Sequence, residues 1–143
     1  MTPASAVPLR GASGLYVAWL VALIATIGSL WFSEVHQFLP CTLCWYQRIL
    51  MYPLAIVLGI GAWRGDVGVV RYALPFSLLG VLVAGYHVGV QKIPGFGFPA
   101  ACRSGVPCNA AYIDWLGFIT IPVLALTAFL LITAVLVAAN RSR

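Results

Sequence analysis

The chain has 143 residues, 62% of them hydrophobic and 8% charged, with a formal net charge of +5 and a mean hydropathy of +1.01. Soluble domains carry roughly 25% charged residues, so this composition excludes one: too few charged groups are present to cover its surface. The basic residues stand singly between apolar runs, without clusters or interleaved aromatics, which excludes a nucleic-acid-binding face and makes the charge a record of topology.

Four apolar runs, at about 14–33, 43–63, 69–90 and 115–139, reach the roughly 20 helical residues needed to span a bilayer. They predict an all-α integral membrane protein, one domain over residues 1–143 built as a four-transmembrane-helix bundle. In the first run, the core from Leu15 to Phe32 exceeds the roughly 7–15 residues of a signal-peptide h-region, and no A-x-A-like cleavage site follows. It is read as a retained helix that serves as its own insertion signal. Pro53, Pro75 and Pro122 fall inside the runs, where neighbouring groups must satisfy the carbonyls they free.

Lysine and arginine in short loops set the orientation. Arg10, Arg64, Arg71, Arg141 and Arg143 belong to one side; Lys92 and Arg103 lie in a long loop on the other. Both termini are therefore expected in the cytoplasm, with the links at about 34–42 and 91–114 facing outward. All four cysteines, Cys41, Cys44, Cys102 and Cys108, then stand at or beyond the outer ends of helices. That is the side on which disulfides persist, and two close pairs there point to disulfide chemistry.

Cys41-Thr-Leu-Cys44 follows Pro40, which suits the first turn of a helix. The motif is expected in the first turn of the second helix, where unpaired N–H groups and the helix dipole favour a thiolate. Arg48 lies four residues after Cys44 and seven after Cys41, so all three are expected on one face, with the arginine about 6 Å deeper than Cys44. A helical side chain leans toward its own N-terminus. Arg48 could hold the Cys44 thiolate or a carbonyl of a lipid-soluble molecule; the alternative is an arginine that only snorkels to the headgroups.

Cys102 and Cys108 bracket part of a loop rich in glycine and proline, suited either to a mobile disulfide or to a static staple. A zinc site made of all four cysteines is disfavoured by the five-residue spacing of that second pair, and no metal is expected. His87, near the outer end of the third run at about the depth of Arg48, is a candidate proton relay or a packing residue. His36 reads as solvated, Asp114 as the N-cap of the fourth helix, and Asp66 as structural.

The stretches "CTLCWYQRILMYPLAIVLGIG" and "PCNAAYIDWLGFITIPVLALTAF" resemble the second and fourth helices of the disulfide bond formation protein B (DsbB) family, in particular its short BdbC-like branch. The resemblance covers most of the chain. It implies a quinone reductase of the bacterial cell (inner) membrane that reoxidises a thioredoxin-like thiol oxidant on the outer side. Its cofactor would be ubiquinone or menaquinone from the membrane pool, and its surroundings membrane lipid. Carried over by residue, Cys41 and Cys44 match the pair that passes electrons to quinone, Cys44 and Arg48 match the residues beside it, and Cys102 and Cys108 match the loop pair that accepts electrons from the partner. The resemblance carries no role to His87; it is placed with the cofactor because the quinone also takes up two protons, for which His87 or water is the source. In the long form of the family the second pair is more widely spaced, and Gln47 stands where some members have an acidic residue, so no role is carried to it.

Two rivals remain at the level of sequence. A vitamin-K-epoxide-reductase-like enzyme shares the bundle, quinone and two cysteine pairs, but its loop pair precedes the membrane C-x-x-C, the reverse of the order here. A non-catalytic four-helix protein with two static disulfides gives no reason for an arginine beneath C-x-x-C.

Overall fold

The computed structural model of the chain describes residues 9–97 and 106–142. Among the described residues there are four α-helices, α1 (Leu9–Glu34), α2 (Thr42–Arg64), α3 (Val70–Lys92) and α4 (Ile121–Arg141), with one turn of 3₁₀ helix at Val67–Val69. All four are long and apolar enough to cross a membrane, as the composition predicts. Among the described residues the only β-type pairing is an isolated bridge between Trp115 and Ile119.

The helices form a ring in which α1 packs on α2 and α4, and α3 closes the other side against the same two. Each contributes one narrow stripe to the core. Leu15, Ala18 and Ala22 come from α1, Leu54, Leu58 and Ala62 from α2, Ala73, Ser77, Gly80 and Ala84 from α3, and Phe129, Ile132 and Leu136 from α4. Steps of three and four residues keep each stripe on one face. The α3 stripe is made of small residues, because lipid tails are as apolar as leucine and helices associate here by close packing instead. Gly80 is the extreme case: a Cβ there would lie 2.2 Å from ring atoms of Phe129, which is fully buried.

The α2–α3 turn is set locally. Gly65 ends α2 in the left-handed conformation (φ 64°), and Asp66 accepts a hydrogen bond from the Gly68 N–H at 2.8 Å to start the 3₁₀ turn. Asp66 is thus structural, as expected.

The fourth helix departs from the sequence reading. It begins at Ile121 rather than near 115, and Thr120, not Asp114, is its N-cap residue. Residues 115–119 instead fold into a tight turn closed by Trp115 N–H to Ile119 O (3.0 Å) and Ile119 N–H to Trp115 O (2.9 Å), with Leu116 (φ 57°) and Gly117 (φ 80°) left-handed. Positive φ at two consecutive residues cannot continue a right-handed helix. Pro122 then falls in the first turn, where its missing N–H costs nothing. Asp114 faces Lys92 at 3.7 Å, and Lys92 also donates to the Gly117 carbonyl, so the turn is tied to the end of α3.

Gly80→Ala is expected to destabilise the bundle by about 1–3 kcal/mol through overpacking. Combining it with Phe129→Leu should cost less than the sum of the two single changes. Thermal melts of the detergent-solubilised variants read this out; simple additivity would mean that Gly80 and Phe129 do not share the contact.

Candidate active site

The site begins at the N-terminus of α2. Cys41 is the N-cap residue, in extended conformation (φ −75°, ψ 174°), and its carbonyl accepts the first helical hydrogen bond from Trp45 N–H at 3.1 Å. Pro40 therefore lies just before the cap rather than in the first turn. Because a cap residue is outside the helical repeat, the side chain of Cys41 does not share the face of Cys44 and Arg48. It turns inward, 4% exposed, and packs with Leu43, Cys108, Tyr86 and Val90. The expectation that the three residues share a face is corrected accordingly; of the two thiols, Cys44 is the half-buried one.

The two thiols are reduced and hydrogen-bonded, with Cys41 Sγ donating to Cys44 Sγ at 3.4 Å. Donation of that bond pushes the Cys41 pKa up to about 11; burial adds to the rise, and the contact with His87 works against it. Cys41 therefore keeps its proton, and Cys44 is the sulfur that receives.

His87 lies on the other side of Cys41. It continues the small-residue stripe of α3 inward and is 1% exposed. Its Nε2 is 3.1 Å from the Cys108 carbonyl and 3.7 Å from Cys41 Sγ, while Nδ1 is 3.0 Å from Gln47 Nε2. With the Gln47 amide donating to Nδ1, Nε2 carries the proton and points at Cys108 and Cys41. His87 thus holds together the start of α2, α3 and the loop residue Cys108.

Arg48 faces the opposite way, across to α1. Its Nη2 donates to the Ser29 carbonyl at 3.1 Å and to the Ser33 hydroxyl, and its guanidinium lies 5.4 Å over the Trp45 ring. Satisfied by partners inside the bundle, it does not depend on reaching the headgroups. Between α1, α2 and α4 lies a cavity of about 490 Å³, within the usual range for small-molecule sites. Cys44, Arg48 and Tyr52, at successive i+4 steps, form its α2 wall together with Gln47 and Met51. Phe38 and Tyr112 stack over it at 4.7 Å, and Tyr52 pairs with Ser29 at 3.3 Å. Its lining is otherwise mostly aliphatic, and Ile24 and Leu131 in its wall are also exposed on the outside of the bundle. The cavity therefore opens sideways, toward where lipid lies.

Of the residues singled out from sequence, the fold gathers Cys41, Cys44 and His87 on one side of the α2 start and puts Cys44 and Arg48 on the cavity wall. Cys108 joins the first group. His87 is not among the cavity-lining residues, so it is placed with Cys41 rather than beside the arginine. Cys102 lies outside the described residues, so the expected Cys102–Cys108 pair is not seen as such. His36 is exposed but joins a ring cluster with Phe32 and Phe38, at 6.1 and 5.4 Å.

Known proteins with this pattern decide the family. The family model described as "Disulfide bond formation protein DsbB" matches residues 12–139. The chain belongs to the DsbB family. It is 57% identical over 118 residues to "Disulfide bond formation protein C" of Bacillus subtilis, covering 82% of this chain and 86% of that protein. It is 52% identical over 115 residues to the "Probable disulfide formation protein C" of Halalkalibacterium halodurans (80% and 84% covered), and 49% identical over 126 residues to the "Probable disulfide formation protein" of Coxiella burnetii (87% and 86% covered). No solved structure matches.

As a DsbB-family protein the chain is a disulfide oxidoreductase of the membrane, and the vitamin-K-epoxide-reductase-like alternative falls away. The residue that sequence reasoning passed over is Gln47, which is 6% exposed, bonded to His87 and part of the cavity wall. Its signal was present: Leu43, Gln47, Met51, Leu54 and Leu58 form the buried stripe of α2, and a glutamine among them needs a polar partner inside.

In the reduced protein, a small alkylating reagent at about pH 7–9 should modify Cys44 before Cys41, since the latter is buried and holds its proton. The rate at Cys41 should climb about tenfold per pH unit and level off near pH 11. Peptide mass mapping after brief labelling distinguishes the two; equal labelling at neutral pH would contradict the assignment.

Proposed function

We propose that this chain is a quinone-dependent thiol oxidase that reoxidises a thioredoxin-like disulfide oxidant outside the cytoplasm. The observation that carries the reading is the division of the C-x-x-C dithiol: Cys44 opens onto an apolar cavity beside Arg48, and Cys41 packs beneath Cys108. One thiol thus faces a lipid-soluble acceptor and the other faces the loop.

The cavity fits a quinone. Its size, aliphatic lining and lateral opening suit a ring with an isoprenoid tail, and Arg48, Gln47 and Tyr52 supply polar groups toward ring oxygens. Ubiquinone and menaquinone both meet these requirements. When bound, the quinone accepts two electrons and two protons.

The remaining steps belong to the chain's own residues. A reduced partner dithiol attacks the Cys102–Cys108 disulfide and leaves as a disulfide, with the loop pair reduced. The loop thiols then reduce a Cys41–Cys44 disulfide, and the packing of Cys108 in one buried cluster with Cys41 favours these as the sulfurs that exchange. His87 Nε2–H, 3.7 Å from Cys41 Sγ, is positioned to donate to the thiolate that Cys41 becomes when the exchange frees it. The regenerated dithiol closes again to a disulfide, giving two electrons and two protons to the acceptor at Cys44. Arg48 holds positive charge on the cavity wall through this step.

The loop arginine and lysine distribution supports an orientation with both termini in the cytoplasm and the cysteine loops outward, in the bacterial cell (inner) membrane. The curated relatives are named for disulfide formation, which agrees with this direction of electron flow.

Cys44→Ser should abolish quinone reduction by a reduced thioredoxin-like partner in purified protein; persistent turnover would sink the assignment. Arg48→Ala should raise the quinone KM by about 10–100-fold, as expected for loss of a charged hydrogen-bond donor. If the KM is unchanged and only thermal stability falls, Arg48 serves as the clamp to Ser29 and Ser33 alone.

A further inference from the structure

The dithiol and His87 make a compact donor set on the side of Cys41 away from Arg48. Sγ of Cys41, Sγ of Cys44 and a ring nitrogen of His87 all lie within 4.8 Å of one another. Two of the edges are 3.4 Å between the sulfurs and 3.7 Å from Cys41 Sγ to His87 Nε2. Thiolates at about 2.3 Å and an imidazole at about 2.0 Å from a tetrahedral Zn²⁺ stand roughly 3.5–3.8 Å apart. Two of the three edges are therefore already at ligand spacing, and the third, within 4.8 Å, closes by a side-chain shift on the order of 1 Å at most.

We propose that, in the reduced protein, Cys41, Cys44 and His87 bind a thiophilic divalent cation of the Zn²⁺ class, which locks the dithiol against oxidation. Charge favours this occupant. Two thiolates in a buried site are costly, and a divalent ion cancels both while two thiol protons leave. Soft sulfur with imidazole selects zinc-like ions over magnesium or calcium. The site is distinct from the four-cysteine arrangement that the sequence spacing disfavours, because His87 replaces the loop pair and Cys102 is not needed.

Gln47 completes the site as a positioning residue. For His87 Nε2 to bind metal, the ring proton must move to Nδ1 and find an acceptor. The Gln47 amide lies 3.0 Å from Nδ1, and a half-turn about its last bond presents the carbonyl oxygen in place of the NH₂. The hydrogen bond from Nε2 to the Cys108 carbonyl is given up in exchange. Metal occupancy thereby also releases the contact that holds Cys108 over Cys41.

Reduced protein in detergent, free of quinone and partner, is titrated anaerobically with Co²⁺ as a coloured substitute for Zn²⁺. The expected result is thiolate-to-cobalt absorption that saturates at about one metal per chain, as for a single site, and is displaced by Zn²⁺. Oxidised protein should give none. Cys44→Ser and His87→Ala should each remove the absorption, and Gln47→Leu should weaken binding by about 10–100-fold. Cys102→Ser and His36→Ala should leave it unchanged. Absorption that survives His87→Ala with equal affinity, or that disappears in Cys102→Ser, overturns the site, as does its absence from the reduced wild type. If His87→Ala unfolds on melting analysis, Cys44→Ser together with zinc protection of Cys41 from alkylation decides. Because no quinone is present, failure here leaves the proposed reaction intact, and failure of quinone turnover leaves the metal site intact.

Discussion

A polar side chain within a bilayer has no water to satisfy it, and at the cysteine end of this bundle that constraint organises the rest. Arg48 finds the Ser29 carbonyl and Ser33 hydroxyl on α1, and Gln47 finds His87 on α3. These two sets of bonds run in opposite directions from neighbouring residues of one helix turn. They hold α1 and α3 at fixed distances from α2 and leave room on the α1 side for the cavity. The same turn carries Cys44, so its sulfur is positioned by the residues that tie the helices together.

The start of α2 divides the two cysteines. Inside the helix, Cys44 follows the i+4 row of Arg48 and Tyr52 and faces the cavity. At the cap, Cys41 is released from that row, turns toward α3 and is covered by Cys108. A C-x-x-C motif that straddles a helix boundary thus presents its sulfurs to two environments while keeping them 3.4 Å apart. The proposed electron transfer from the loop to a lipid-soluble acceptor would use this division. The direction of the hydrogen bond between them goes with it: the covered sulfur donates, and the sulfur on the cavity wall accepts.

Much of this was legible in the chain itself. The four spans, the placement of Cys41 and Cys44 at the start of the second, and an arginine one turn beneath Cys44 all follow from hydropathy and spacing. The start of α4 was not. Its apolar run continues through Trp115-Leu-Gly-Phe-Ile, and periodicity is blind to the left-handed Leu116 and Gly117 that make those residues a turn. Gln47 was overlooked because a glutamine next to an arginine reads as local polarity until the buried stripe of α2 is traced through it.

The sequence by itself determined the class, the spans, the family and the chemical type of the site, because these depend on composition, on residue spacing and on motifs that are local in the chain. Tertiary structure decided which way each functional side chain turns. Arg48 could reach toward the cysteines, the headgroups or a neighbour, and only the position of α1 selects Ser29 and Ser33. His87 could serve the cavity or the thiol, and only the packing of α3 against the start of α2 sets it beside Cys41. Such choices rest on contacts between residues 15 to 46 positions apart in the chain, which no local pattern encodes.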